Sequence, residues 1–328
     1  MRSGWKEILY ALFMGAVVPW LLLSFAVMVM EREKPVISPT NPSLNFEAAE
    51  TVPESEPLTM RLRSSDGSVK QMNMDAYLVG VVLAEMPASF EPEALKAQAV
   101  VARTYTRRAC ETGGKHGDGS VCSLYSCCQA YITEEAYLEK GGSPESVEKV
   151  RSAVYATSGY VLTYEGMLIE ATYFSCSGGL TEDAKEVWGT DYPYLQSVES
   201  PGEESAVYHT DSKIFSAREF QEALGISLNG TPETWFGTVT YTVGQGVDTM
   251  MIGGLEYRGT ELRTRLDLRS TAFSIEVKGD TIMIHTKGYG HRVGMSQYGA
   301  DAMAVNGSTF GEILAYYYQG TELYQSKE

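Results

Sequence analysis

The stretch MDAYLVGVVLAEMPASFEPEALKAQAVVARTYT, residues 74–106, decides how the chain folds. Its first half is short and apolar, which is typical of a buried helix. Pro87 ends this helix, and Pro92 suits the first position of a second, alanine-rich helix that reaches about residue 109. The stretch therefore predicts two consecutive helices with Glu85 in the corner between them.

Glu85 is a carboxyl with apolar neighbours over residues 81–87. Such surroundings weaken its hydration, raise its pKa and keep it protonated near neutral pH, as a general acid requires. Lys96 and Arg103 share one face of the following helix by their spacing, and a nearby cation would instead lower that pKa. Taken alone, the stretch favours a surface glutamate at a helix end over a catalytic acid.

The composition limits the classes of partner. The chain has 328 residues, of which 44% are hydrophobic and 21% charged, which suits one large globular domain or two smaller ones. Its formal net charge of -16 repels polyanions over most of the surface. We therefore expect no nucleic-acid partner, and neutral or cationic ligands fit better.

The N-terminal region predicts a membrane anchor. Residues 8–30 are uncharged, mostly apolar and numerous enough to cross a bilayer as one helix. Arg2 and Lys6 precede this segment, so the positive-inside rule places the N-terminus in the cytoplasm and the folded domain outside. Residues 35–58 are rich in proline and predict an extended linker. The expected organisation is a single-pass anchor over 1–34, the linker, and a folded domain over 59–328.

The folded domain is predicted to have an α+β fold. Hairpins are predicted over residues 59–70 and around Glu165 and Gly166, and Ser143 with Pro144 predicts a helix start. We further expect a short helix over 213–224, a small sheet within 236–286, and two helices with a final turn near the C-terminus. The order favours helices packed on small mixed or antiparallel sheets in two lobes around a cleft, with a sub-domain over about 190–280.

Two glycine-rich segments could approach a ligand closely. GYGHRVGMSQYGA, residues 288–300, surrounds His291, Ser296 and Gln297 with glycines, and SCSGG, residues 175–179, offers Ser175 and Ser177 beside flexible backbone. Each is a weak signal by itself, because ordinary turns have the same composition.

The five cysteines form an odd set, and three candidate metal ligands recur at six-residue steps: His116, Cys122 and Cys128. Imidazole and thiolate suit zinc, but a structural site needs a fourth ligand, and this spacing is not that of a zinc finger. Cys127, Cys110, Asp118 or water would have to supply it. On spacing alone, a disulfide or free thiols explain the cysteines better.

Three motifs in order carry a resemblance to a known family: the opening stretch, YFSCSGGLTEDAKEVWG (residues 173–189) and KGYGHRVGMSQYGADAMA (residues 287–304). Over about residues 60–325 the chain resembles the stage II sporulation protein D family of membrane-anchored lytic transglycosylases, which degrade peptidoglycan during engulfment of the forespore. The resemblance implies a catalytic domain that cleaves denuded glycan strands without a catalytic cofactor. It also implies an amidase and membrane proteins of the engulfment machinery as partners.

The resemblance also assigns residues. Glu85 matches the catalytic glutamate of the A-E-M-P motif, and His116, Cys122 and Cys128 are similar to a zinc-binding set in some clostridial members. Positions that match the substrate-binding cleft are Lys96, Gln98, Arg103, Tyr105, Ser175, Ser177, Gly178, His291, Ser296 and Gln297.

Two residues depart from the family pattern. Cys176 stands where threonine or serine is usual, and Arg292 replaces the usual glycine of the G-H-G-V-G-M loop. A bulky cation at that position is expected to disturb the loop or the fit of the substrate. Two rival functions follow: a catalytically impaired glycan-binding or scaffold protein, and a metallohydrolase at His116, Cys122 and Cys128.

Overall fold

The computed structural model describes residues 58–326. Within this range no helix combines the length and apolar character that spanning a bilayer requires. The predicted anchor over residues 8–30 and nearly all of the predicted linker lie outside the described residues.

Nine α-helices lie within residues 58–326. They are α1 (Met74–Glu85), α2 (Pro92–Thr112), α3 (Glu134–Glu139), α4 (Pro144–Ala156), α5 (Ala184–Trp188), α6 (Ala217–Leu224), α7 (Gly259–Arg265), α8 (Gln297–Val305) and α9 (Phe310–Tyr317). Short 3-10 turns cover Gly114–His116 and Pro232–Thr234.

The strands are short and form five small sheets. They are β1 (Thr59–Arg63), β2 (Val69–Asn73), β3 (Val121–Cys122), β4 (Tyr160–Tyr164), β5 (Met167–Leu168), β6 (Tyr173–Phe174), β7 (Thr210–Ser216), β8 (Phe236–Tyr241), β9 (Val247–Ile252), β10 (Leu255–Arg258), β11 (Phe273–Lys278), β12 (Thr281–Lys287), β13 (Met295–Ser296) and β14 (Glu322–Gln325). Their orders are β2-β1-β3, β10-β9-β8, β11-β12-β7, β13-β6 and β14-β4-β5. The β1–β3 and β6–β13 pairs are parallel and the other pairs antiparallel, so the expected α+β architecture with small sheets is confirmed.

The larger core surrounds α1 and α2. Every residue of α1 from Tyr77 to Leu83 is buried, so this helix is apolar on all sides and needs neighbours all round. Its N-cap is Asn73, whose side chain accepts a hydrogen bond from the Ala76 N–H at 2.9 Å. Helices α4, α8 and α9 add further buried residues to this core.

A second buried cluster belongs to the segment between β7 and β12. It contains Phe220 and Leu224 of α6, Leu262 of α7, and Ile282 and Ile284 of β12. The alternating burial of β12 explains its place there, because one face of the strand packs inward while the other meets solvent. Both cores lie in one compact unit.

Several predicted elements are confirmed. The first hairpin is β1–β2, the second is β4–β5 with a turn at Glu165 and Gly166, and Ser143 caps α4 by accepting from the Ser146 N–H at 3.1 Å. Two details differ. Residues 213–216 extend β7 before the helix begins at Ala217, and the predicted final turn, at residues 319–320, is followed by strand β14, which pairs with β4.

Candidate active site

Glu85 is the last residue of α1 and lies in the predicted corner before α2. Its Oε1 accepts a hydrogen bond from the Ala130 N–H at 2.6 Å. Gly80 explains how that loop reaches the helix: a Cβ there would collide with Tyr131 and Ile132, and the Ile132 N–H donates to the Gly80 carbonyl at 3.2 Å. A groove of about 580 Å³, lined by Ala84 and Ala130 among others, opens beside this corner.

Burial raises the pKa of Glu85, and hydrogen bonds from the Ala130 backbone and the Tyr173 hydroxyl only partly oppose that rise. Among the described residues, no cation lies within ion-pair distance of this carboxyl. The sequence left open whether Lys96 and Arg103 would lower the pKa. In the structure neither Lys96 nor Arg103 lowers the pKa of Glu85. This carboxyl therefore stays protonated to higher pH than an exposed glutamate.

Tyr173 and Gln129 complete the surroundings of Glu85, and the sequence did not single them out. The Tyr173 hydroxyl donates to Gln129 Oε1 at 3.1 Å and also interacts with the Glu85 carboxyl, which lowers the pKa of that carboxyl. Gln129 Nε2 donates in turn to Thr106 Oγ1 at 2.9 Å on α2. Tyr173 is the first residue of the YFSCSGGLTEDAKEVWG motif. Its position beside Glu85 depends on the parallel pairing of β6 with β13, which the motif does not show.

The thiols predicted as metal ligands form a compact cluster with His116. One ligand atom from each of four residues lies within 4.8 Å of all the others: His116, Cys122, Cys127 and Cys128. Burial raises the pKa of the Cys122 thiol, but hydrogen bonds from the Leu124 backbone and from the other three members outweigh it and bring the pKa to about 7. The cluster therefore includes Cys127 beside the three predicted residues.

This donor set fits zinc. One imidazole and three thiols converge from separate parts of one loop, and four soft donors at this spacing match a closed tetrahedral site. His116 Nε2 lies 3.6 Å from Cys128 Sγ and 3.8 Å from Cys127 Sγ. Cys110, in the last turn of α2, is exposed and lies outside the cluster.

Two predicted residues from distant motifs meet in the core. Gln297 Nε2 donates to Gln98 Oε1 at 3.4 Å, which joins α8 to α2. Both side chains are buried, and Gln98 Nε2 has no hydrogen-bond partner among the described residues. Ser296 caps α8 by accepting from the Gly299 N–H at 3.2 Å. These groups therefore join α2 and α8 inside the core.

The two predicted cations of α2 have partners within the protein. Arg103 is 1% exposed; its Nη2 donates to Asp75 Oδ1 at 2.9 Å, and its Nη1 donates to the Thr157 carbonyl at 2.7 Å. Lys96 pairs with Glu93 at 2.6 Å, one turn away on the same helix. Arg103 therefore departs from the predicted substrate contact, because it has no exposed donor, and it ties α2 to the end of α4.

Tyr105 lies beside the thiol cluster. Burial raises the pKa of its phenol well above the usual range, and the Cys128 thiol adds to that rise. The predicted residue thus connects α2 to the cluster.

The SCSGG turn binds a buried carboxylate of its own chain. Glu203 Oε2 accepts from the Ser177 N–H and hydroxyl, each at 2.8 Å, and from the Gly178 N–H at 2.9 Å. Cys176 donates to the same oxygen at 3.2 Å, so the unusual cysteine is a further donor in this turn. Ser175 is half-buried, and its carbonyl accepts from the Tyr298 N–H at 3.1 Å.

The neighbouring side chains of His291 and Arg292 have different partners. Burial lowers the pKa of His291 to about 4, and its Nδ1 accepts from the Val293 N–H at 3.1 Å, so the ring is neutral with its proton on Nε2. Arg292 has a φ of 67° in the left-handed region and turns its guanidinium inward, to the Ser177 carbonyl at 2.8 Å and Glu182 at 3.2 Å. The expected clash in the loop is thus resolved by burial in an ion pair.

Fold and site together define an α+β protein with one desolvated carboxyl at a helix corner, supported by a thiol and imidazole cluster. The family described as Stage II sporulation protein matches residues 63–164. The chain is 39% identical to Stage II sporulation protein D of Bacillus subtilis (strain 168) over 299 residues, which cover 90% of this chain and 86% of the relative.

Stage II sporulation protein D of Bacillus amyloliquefaciens is also 39% identical, over 84% of this chain and 81% of the relative. The Amidase enhancer of Bacillus subtilis (strain 168) is 28% identical over 75% of this chain and 40% of that longer protein. The chain belongs to the stage II sporulation protein D family, and the resemblance seen in its three motifs is confirmed.

Proposed function

We propose that the protein is a peptidoglycan lytic transglycosylase that cleaves the β-1,4 bond between N-acetylmuramic acid and N-acetylglucosamine. The observation that carries this proposal is the Glu85 carboxyl, whose pKa is raised by burial and which has no ion-pair partner among the described residues. Within residues 58–326 no other carboxylate contributes to its pKa shift, whereas ordinary glycosidases use two carboxyl groups. Family membership supports a role in sporulation.

One carboxyl suffices for an intramolecular reaction. Glu85 donates its proton to the glycosidic oxygen, and the bond between that oxygen and the anomeric carbon breaks. The resulting carboxylate then takes the proton of the muramic 6-hydroxyl while that oxygen bonds to the anomeric carbon. The products are a free 4-hydroxyl on N-acetylglucosamine and a 1,6-anhydromuramic end, and the acid returns to its protonated form.

The Ala130 N–H and the Tyr173 hydroxyl help both halves of this cycle. They stabilise the carboxylate after it has given up its proton, and burial restores its affinity for the next one. The Gly80 contact and the β6–β13 pair hold these two donors in place.

Zinc would be held by His116, Cys122 and Cys128, with Cys127 as the fourth ligand. Bound there, it supplies structural cross-linking and no chemistry at the glycan. Ala130 follows Cys128 by two residues. A cluster held by zinc would therefore also hold the Ala130 N–H in its position as hydrogen-bond donor to Glu85. Metal analysis of the purified protein should give about one equivalent of zinc, with none in Cys122→Ser and an unchanged content in the control Cys110→Ser. Wild-type protein without zinc would contradict this assignment.

Under this proposal the chain is anchored in the cell membrane by residues 8–30, with the catalytic domain outside. A cell-wall amidase that strips stem peptides would supply the substrate, and the name of the related Amidase enhancer agrees with such a partner.

The decisive experiment incubates the full chain with denuded glycan strands and analyses the products by mass spectrometry. We expect 1,6-anhydromuramic ends. Reducing ends with added water would indicate a hydrolase instead. Binding without any product would favour the scaffold protein, although Arg292, the residue that suggested it, is turned away from the cleft.

A further inference from the structure

Arg263 of α7 is a half-buried cation without a counter-ion. Among the described residues, its guanidinium has neither a hydrogen-bond acceptor nor a carboxylate within ion-pair distance, and the phenol of Tyr289 is the sole group that favours its charged form. Burial lowers its pKa. A partly desolvated charge is costly unless an opposite charge comes to it, so a ligand that brings one would be stabilised.

The other arginines of this helix do not share that situation. Arg265 pairs with Glu261 at 2.7 Å, and Arg258, just before the helix, pairs with Asp248 at 3.6 Å. With a net charge of -16, the chain has more carboxylates than cations, so acidic partners for its arginines are plentiful. Among the arginines of residues 58–326, the lack of an ion-pair partner is specific to Arg263.

Arg263 lines a groove of about 490 Å³ together with Trp188, Thr260, Leu268 and His291. Trp188 is 41% exposed, and its ring lies 5.3 Å from that of His291. An exposed indole face beside hydroxyl groups is suited to stacking on a sugar ring. Asp267 also borders the groove, but it is exposed and bound to Lys213 at 3.0 Å, so it leaves Arg263 unpaired.

The groove reaches strand β6 through His291, whose ring centroid lies 5.7 Å from that of Phe174, the residue after Tyr173. Burial is the largest cause of the lowered His291 pKa, and the charges of Arg263 and Lys115 lower it further. The backbone of Tyr173 hydrogen-bonds to His291, while its hydroxyl interacts with Glu85. A chain of sugars bound at the acid can therefore extend along Tyr173 towards Arg263.

We propose that Arg263 and Trp188 form a subsite for a sugar that carries a carboxylate, with the guanidinium binding the carboxylate and the indole stacking on the ring. This rests on the proposed function and names the recognised group: the lactyl carboxylate of N-acetylmuramic acid. That group is charged where the stem peptide is absent, because an attached peptide converts it into a neutral amide. Arg263 thus selects stripped glycan by charge.

The test measures binding separately from cleavage. The full chain carrying Glu85→Gln is titrated by calorimetry with denuded glycan, with the same glycan after its lactyl carboxylates are converted into amides, and with glycan that retains stem peptides. We expect roughly tenfold tighter binding of the denuded form, as one charged hydrogen-bonded pair provides. Adding Arg263→Gln should remove this preference, Arg263→Lys should retain part of it, and the matched control Arg258→Gln should retain all of it.

In the active protein, Arg263→Gln should raise KM for denuded glycan roughly tenfold with little change in kcat. An unchanged preference in Arg263→Gln would overturn the subsite, and so would equal binding of all three glycans. If Arg263→Gln instead weakened the peptide-bearing glycan alone, the cation would bind a peptide carboxylate and the lactyl assignment would be wrong. Wild-type protein that shows the preference but releases no anhydro product would refute the proposed reaction and leave the subsite standing.

Discussion

Two carboxyl groups of this protein, half-buried Glu85 and fully buried Glu203, have opposite surroundings. Glu203 accepts hydrogen bonds from backbone and side-chain donors of the SCSGG turn on one oxygen, and from Ser200 at 2.6 Å on the other. Glu85 has the Ala130 N–H, a share of the Tyr173 hydroxyl, and burial that raises its pKa. A carboxylate saturated with donors holds the chain together, whereas one with few donors is free to exchange a proton.

The largest expected effect is on the reaction. Glu85→Gln removes the proton donor and keeps the shape, so cleavage of denuded glycan should fall about a thousandfold. Release of anhydro products would be followed by mass spectrometry. The exposed Glu139→Gln of α3 serves as control and should cleave like the wild type. Equal rates for Glu85→Gln and the wild type would place the acid elsewhere.

Glu203→Gln should affect stability instead. The amide keeps one acceptor oxygen for the Ser177 and Gly178 N–H groups but loses the negative charge that strengthens these hydrogen bonds, and its NH2 group forces the Ser200 hydroxyl to change from donor to acceptor, at an expected cost of about 3 kcal/mol in the free energy of unfolding. Urea denaturation would measure it. The neighbouring Glu204 is exposed, so Glu204→Gln should change little. A loss no larger than in that control would remove the contrast between the two carboxyl groups.

Tyr173→Phe sharpens the comparison by taking one donor from Glu85. The Tyr173 hydrogen bond lowers the pKa of Glu85, so without it that pKa rises and the alkaline limb of kcat/KM moves to higher pH. We expect the maximal rate to fall about tenfold, because the carboxylate is less well stabilised. Tyr155→Phe, on an exposed side of α4, should leave the pH profile in place. A shift to lower pH would contradict the role of the hydroxyl.

The smallest effect concerns stability against pH. A carboxyl whose pKa is raised on folding binds its proton more tightly in the folded state, so the wild type loses stability as pH rises from about 4.3, the usual glutamate pKa, through the raised value. Glu85→Gln does not titrate. It should unfold like the wild type below pH 4 and be more stable by about 1 kcal/mol, or roughly 2 °C in Tm, at neutral pH. A variant less stable than the wild type at neutral pH would contradict this sign.

The corner around Glu85 was predictable because its signals are local. Pro87 and Pro92 mark the helix boundaries, and apolar neighbours imply burial. The burial of Arg103 was not predictable, because spacing shows which residues share a helix face but not whether a cation on that face is buried. It is buried because Asp75 and the carbonyl groups at the end of α4 supply acceptors, as helix C-termini do. The roles of Gln129 and Tyr173 depend on pairings between distant segments, which no local pattern shows.

The contact between Gln98 and Gln297 joins residues 199 positions apart. A chain is synthesised from its N-terminus at roughly 10 residues per second, so α8 is synthesised about 20 s after α2. During that interval the apolar surfaces of α1 and α2 have only part of their final partners. Helix α8 therefore covers these surfaces only late in synthesis, and truncations near the C-terminus should leave an aggregation-prone chain rather than a smaller folded one.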